Sequence, residues 1–171
     1  MADLSTTFLG ITSPNPFWLA SAPPTDKEVN VNRAFEAGWG GVVWKTLGED
    51  GPPIVNVNGK RYESLLSDQR RVIGFNNIEL ITDRPLQINL DEIRRVKRNW
   101  PDRALVVSLM VPCEESAWKA ILPMVEDTGC DGVELNFGCP HGMSERGMGS
   151  AVGQVPEYIE MVTRWCKQYS R

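Results

Sequence analysis

Three short runs in this chain are apolar at most consecutive positions: Gly41-Val42-Val43-Trp44-Lys45-Thr46, Ala104-Leu105-Val106-Val107-Ser108-Leu109-Met110 and Gly132-Val133-Glu134-Leu135-Asn136. A strand with one wet face alternates apolar and polar residues. One that is covered on both faces does not, and that condition belongs to parallel sheets flanked by helices. The stretches between and after these runs have helical period. Residues 26–38 carry Val29, Ala34, Phe35 and Ala37, and residues 114–128 carry Trp118, Ile121, Leu122 and Val125. Residues 156–168 carry Tyr158, Ile159, Met161, Val162 and Trp165. A fourth helix is predicted from Leu90 to Trp100, with Asn89 as its cap and Pro101 as its stop.

The N-terminal part fits the same plan. Residues 5–11 are β-prone, Thr12-Ser13-Pro14-Asn15-Pro16 is a strong turn signal, and residues 17–21 read as a further strand. These are expected to form a hairpin that leads into a core strand. The order is then strand–helix four times, an α/β chain with a parallel sheet and crossover helices. Two closures satisfy that order, an open doubly wound sheet and a (β/α)8 barrel; a barrel needs eight strands and about 250 residues. Pro52-Pro53 opens an insertion in which Asn58-Gly59 is the best local hairpin signal, between residues 54–57 and 61–65. Residues 66–85 read as polar and irregular.

Bulk properties exclude several roles. The 171 residues suffice for one domain with a core, expected to be a single unit over 1–171. The net charge of −4 gives no reason to expect nucleic acid or an anionic membrane as a partner. No apolar run approaches the length of a membrane span, and the N-terminus has no secretory pattern, so a cytoplasmic setting is expected. Cys113, Cys130, Cys139 and Cys166 form no C-x-x-C pair, so no metal site is read from them. Outside Cys139 they are expected to be packing thiols. No dinucleotide fingerprint follows the first strand. Gly142 to Gly153 contains G-x-x-x-x-G-x-G without the G-K-[ST] of a P-loop.

The chemistry gathers where strands end. Ser21, Lys45, Thr46 and Asn136 close three of the predicted strands, and ligands of parallel α/β folds bind at that edge. Just beyond Asn136 come Phe137, Gly138, Cys139, Pro140 and His141, the chain's one histidine. An unperturbed thiol, with a pKa of about 8.5, is mostly protonated at neutral pH and can act as a proton donor. A nucleophilic role for Cys139 would need His141 as its base, and Pro140 stiffens the link between them. His141 has the alternative of a solvated loop position. Gly142, Gly147, Gly149 and Gly153 would let the following loop open and close over the site, with Glu145-Arg146 pairing to the protein on closure. The alternative is a surface loop without a catalytic role.

Asn136-Phe137-Gly138-Cys139-Pro140-His141-Gly142-Met143, continuing through Glu145-Arg146-Gly147-Met148-Gly149, resembles the active-site loop of the dihydropyrimidine dehydrogenases. These belong among the dihydroorotate dehydrogenase-like flavoproteins. Leu19-Ala20-Ser21-Ala22-Pro23, residues 33–40, Trp44-Lys45-Thr46 and Asn77-Ile78-Glu79-Leu80 look like the same family, in the same order. The resemblance implies a (β/α)8 TIM-barrel type fold, here truncated to a hairpin plus about four strand–helix units. It implies FMN as cofactor and reduction of the C5–C6 bond of uracil or thymine, with hydride going to C6 and a proton from Cys139 to C5. Ser21, Lys45 and Thr46 would contact FMN. Asn77 and Asn136 would hold the pyrimidine's carbonyl and N–H edges, with Phe137 and Gly138 beside them. Gly138 stands where the family has a serine. The resemblance also implies an iron–sulfur/NAD(P)H electron-transfer subunit or domain as partner, and it allows half-barrels to pair as a homo-oligomer. Half a barrel would leave an edge strand unpaired and one side of the core exposed, so the 171 residues alone are expected to bind FMN poorly and to turn over little or nothing. Oxidation of dihydroorotate and a non-catalytic fragment are the alternative readings.

Overall fold

In the computed structural model, which describes residues 2–49, 62–77, 79–140 and 146–171, the three apolar runs lie side by side. They form a parallel sheet with a short first strand. Its members are β3 (Trp18–Leu19), β4 (Gly41–Leu47), β7 (Ala104–Leu109) and β8 (Gly132–Leu135), in the spatial order β3-β4-β7-β8. Chain order and spatial order coincide, as in successive strands of a barrel wall. The register pairs Val42 with Leu105, Val43 with Val106, and Val107 with Val133. Gly41 is required where β3 meets β4, because a Cβ there would lie 2.7 Å from the Trp18 ring.

Helices α1 (Glu28–Glu36), α2 (Leu86–Asn99), α3 (Glu115–Glu126) and α5 (Pro156–Tyr169) follow β3, β4, β7 and β8. Their apolar stripes and one face of the sheet make the main core. Val31 and Phe35 of α1, Leu90, Ile93 and Val96 of α2, and Trp118, Leu122 and Val125 of α3 pack with Val42, Trp44, Leu105, Val107 and Leu109. The fold is thus α/β of the TIM-barrel type, with four strand–helix units. No helix among the described residues is long and apolar enough to cross a membrane.

Several boundaries differ from expectation. The N-terminal hairpin exists, but it pairs β1 (Thr6–Phe8) with β2 (Ile11–Ser13). It turns at Leu9-Gly10, both at positive φ, rather than at residues 12–16. Left-handed backbone at both central positions suits the twist of a two-residue hairpin turn, a signal that Leu9 conceals. Residues 12–16 instead join the hairpin to β3, and Trp18 donates from Nε1 to Ser13 Oγ at 3.0 Å. Helix α2 starts at Leu86, so Asn89 lies inside it and is not its cap. Asn89 is buried there, accepting a hydrogen bond from Trp44 Nε1 at 3.1 Å and donating to the Pro85 carbonyl at 3.1 Å. A buried indole needs an acceptor, and that tertiary demand places the asparagine. Val29 is exposed, and Val31 takes its place on the buried stripe of α1.

The region read as irregular holds a strand. β5 (Tyr62–Leu66) and β6 (Val72–Asn77) form a separate antiparallel hairpin joined through Ser67 to Arg71. The expected turn at Asn58-Gly59, with residues 54–57, lies outside the described residues.

Candidate active site

The C-terminal ends of the strands meet at a cavity of about 180 Å³. Its lining includes Ser21, Lys45, Thr46, Asn77, Asn136 and Cys139, six of the residues named from the sequence. Tyr62 of β5 and Glu79-Leu80-Ile81 complete much of the rim. The side chain of Phe137 packs against the main core instead, and Gly138 is not part of the lining. His141 lies outside the described residues.

A bulge in β4 explains how two consecutive residues reach one site. Trp44 pairs with Val107 and Leu47 with Leu109, so Lys45 and Thr46 together face the single residue Ser108. In a regular strand successive side chains point to opposite faces. The extra residue breaks that alternation, and bulges of this kind serve to re-aim side chains. Lys45 and Thr46 are both buried and both line the cavity. The Lys45 ammonium is paired with the Glu79 carboxylate. With the side chains 5% and 11% exposed, this pair is held where water screens it little.

Thr46 is the centre of a polar network. Asn136 Nδ2 donates to Thr46 Oγ1 at 3.0 Å. Ser21 Oγ lies 3.1 Å and Ser108 Oγ 2.9 Å from the same atom, and the Thr46 backbone N–H donates to Ser21 Oγ at 3.0 Å. Four strands thereby tie their ends together through hydroxyls and one carboxamide. Ser108 was not singled out from the sequence; its signal is a lone hydroxyl inside an otherwise apolar run.

Asn136 builds the turn that carries the cysteine. Its Oδ1 accepts the backbone N–H groups of Gly138 at 3.1 Å and Cys139 at 3.2 Å. A carboxamide oxygen has two lone pairs, and both are used. The orientation of the amide is therefore determined, and one N–H of Nδ2 remains to offer a ligand. The side chain can meet an acceptor in the cavity but not a donor, which narrows the expected pairing with both edges of a pyrimidine.

The segment after the turn folds back against it. Gly149, at φ +56°, places its α-carbon where a Cβ would lie 2.4 Å from the Cys139 carbonyl oxygen and 2.9 Å from Met110 Sδ. A Cβ on Gly153 would lie 2.2 Å from the Phe137 carbonyl oxygen. Ser150 N donates to the Cys139 carbonyl at 3.1 Å, and a helical turn, α4 (Ser150–Gly153), follows. These two glycines were expected to loosen a lid. In the structure they permit backbone-on-backbone packing that no larger residue allows. Ile81, Met110 and Met148 form a small buried cluster on which Cys139 packs. Arg146 pairs with Glu49, just past β4, at 2.8 Å, while Gly142 and Glu145 of the expected lid lie outside the described residues.

The other cysteines behave as packing residues. Cys113 and Cys130 pack against the main core, and Cys166 is buried within it. Burial pushes all three thiols up, that of Cys166 to about 11, which keeps them protonated and unreactive near neutral pH.

Known proteins resemble the chain in sequence. Residues 94–168 match the dihydrouridine synthase (Dus) family. The chain is 45% identical, over 95% of its length, to a chloroplastic dihydropyrimidine dehydrogenase (NADP(+)) of Arabidopsis thaliana. It is 40% identical, over 98% of its length, to the NAD-dependent dihydropyrimidine dehydrogenase subunit PreA of Escherichia coli K12. A dihydroorotate dehydrogenase B (NAD(+)) catalytic subunit of Thermoplasma volcanium is 29% identical over 98% of the chain. The chain spans 39% and 40% of the length of the first two relatives and 51% of the third. By sequence the chain is similar over nearly its whole length to part of the dihydropyrimidine dehydrogenases and, at lower identity, to part of a dihydroorotate dehydrogenase catalytic subunit.

Proposed function

We propose that the chain provides the pyrimidine-reducing rim of an FMN-dependent oxidoreductase acting on the C5–C6 double bond of uracil or thymine. The observation that carries this reading is the seat of Cys139. Its backbone N–H is held by Asn136 Oδ1, and it lines a cavity beside Lys45, Thr46 and Asn77. The names of the relatives share one chemistry, the interconversion of a pyrimidine ring with its 5,6-dihydro form.

The residues present fit a flavin ring. Lys45 offers N–H donors to the cavity, which suits the carbonyl-rich edge of such a ring. Ser21, Lys45 and Thr46 would hold the ring, and FMN when bound supplies hydride chemistry. Asn77 and the free N–H of Asn136 would orient the pyrimidine through its carbonyl groups. The Cys139 thiol would give its proton to C5 and be left as a thiolate, to be reprotonated before the next turnover. His141 is the nearest sequence candidate to assist that step. The Escherichia coli relative is named as a subunit, which suits electron supply through an iron–sulfur/NAD(P)H subunit or domain.

The test is single-turnover reoxidation. FMN-loaded protein is reduced without oxygen and mixed with uracil, thymine or orotate while the flavin absorbance is followed. Reoxidation by uracil or thymine is expected. Reoxidation by orotate alone favours the dihydroorotate reading instead. Cys139→Ala should slow the step by roughly 10²–10⁴-fold while FMN binding persists. Unchanged rates would remove Cys139 from the mechanism.

A further inference from the structure

The geometry points to a directed hydroxyl chain, Ser108 to Thr46 to Ser21, in which buried Ser108 is a positioning residue that makes Ser21 a hydrogen-bond donor to the cavity. The argument is a count of protons and lone pairs. Thr46 Oγ1 has one hydrogen and two lone pairs. Asn136 Nδ2 occupies one lone pair at 3.0 Å, and the orientation of that amide is settled because Oδ1 accepts from Gly138 and Cys139. Of the two neighbouring hydroxyls, one therefore donates to Thr46 and the other receives its hydrogen.

Burial decides which. Ser108 is 0% exposed, and the one hydrogen bond of its side chain among the described residues is to Thr46. If Thr46 donated to Ser108, the Ser108 hydrogen would be left inside the protein without an acceptor, an arrangement that folded proteins avoid. Ser108 therefore donates to Thr46, and Thr46 donates to Ser21. Ser21 Oγ now accepts twice, from the Thr46 hydroxyl and from the Thr46 backbone N–H at 3.0 Å. Both of its lone pairs are filled, so it can only donate. Ser21 is half-buried and lines the cavity, so its hydrogen is directed to whatever occupies that space.

The consequence is a rule for the ligand. The atom that meets Ser21 is an acceptor, such as a carbonyl oxygen or an unprotonated ring nitrogen. The same holds for the atom that meets the remaining N–H of Asn136. The cavity thus selects acceptor-rich edges, and it does so through a residue that no ligand touches.

Neutron diffraction from crystals of the protein exchanged into heavy water tests the direction without any ligand, independently of the flavin proposal. The expected map shows the Ser108 deuteron on the line to Thr46, the Thr46 deuteron on the line to Ser21, and the Ser21 deuteron facing the cavity. A Ser21 deuteron on the line to Thr46 overturns the inference. A titration with FMN, read by quenching of flavin fluorescence, gives a second arm. Thr46→Ser keeps the chain and should hold affinity within about twofold, whereas Thr46→Val should weaken it roughly tenfold. Ser108→Ala should weaken it roughly threefold and shift the bound flavin's absorption bands, with the melting temperature of each variant checked. Equal losses in Thr46→Ser and Thr46→Val overturn the inference. If FMN binds the unaltered protein too weakly to titrate, as is expected of the 171 residues alone, the neutron map by itself decides the direction.

Discussion

One wall of the cavity is formed by Thr46 and Asn136 at the ends of the parallel strands, with buried Ser108 behind them, and another by the β5–β6 hairpin with Tyr62 and Asn77. The first lies on the main sheet, with Ser108 wholly buried and each of the three side chains joined to the next by hydrogen bonds. The second is a two-stranded ladder outside the main sheet, with Phe75 83% and Ile73 69% exposed. An isolated hairpin is marginally stable in water, because it forfeits chain entropy without a core to offset the loss. Asn136 and Cys139 are thus oriented by the folding of the whole sheet. Tyr62 and Asn77 are oriented by local pairing, which opens at lower free energy.

That contrast can be broken by mutation. Lys45→Met removes one partner of a buried ion pair and should destabilise the protein by about 3–5 kcal/mol in urea denaturation. Gly149→Ala should cost about 3 kcal/mol, from a left-handed backbone and a Cβ 2.4 Å from the Cys139 carbonyl oxygen. It should also raise the reactivity of Cys139 toward a thiol reagent, as the turn is pushed from its seat. Asn136→Ala leaves two backbone N–H groups and Thr46 without their partner, for a loss of about 2–3 kcal/mol. Phe75→Ser, on the exposed hairpin, should change stability by no more than about 0.5 kcal/mol. A cost for Phe75→Ser comparable to that of Asn136→Ala would show that both walls belong to one cooperative unit. Amide exchange sharpens the same point: hairpin amides of residues 62–66 and 72–77 should exchange well before those of β4 and β7.

Much of the arrangement was legible in the chain. The runs at 41–46, 104–110 and 132–136 named the sheet, because strands covered on both faces lose their polar alternation. Strand-end residues Ser21, Lys45, Thr46 and Asn136 named the rim. The β6 strand was hidden because Val72 to Asn77 carries Gly74 and two asparagines, and it gains its strand form only by pairing with β5. Asn89 looked like a cap, since its side chain favours one locally, and a tryptophan 45 positions away overrode that preference.

Residue order by itself therefore determined the parallel strand–helix plan, the edge of the sheet that carries the chemistry, and the candidate thiol. These depend on periodicity and on side-chain types, which are local. The tertiary structure decided that a bulge turns Lys45 and Thr46 to one side, that Gly149 and Gly153 permit close packing against the cysteine turn, and that Ser108 joins the site from within the core. Each of these depends on what another strand places opposite a residue, and a hydrogen bond or a steric contact between distant segments leaves no period in the chain to read.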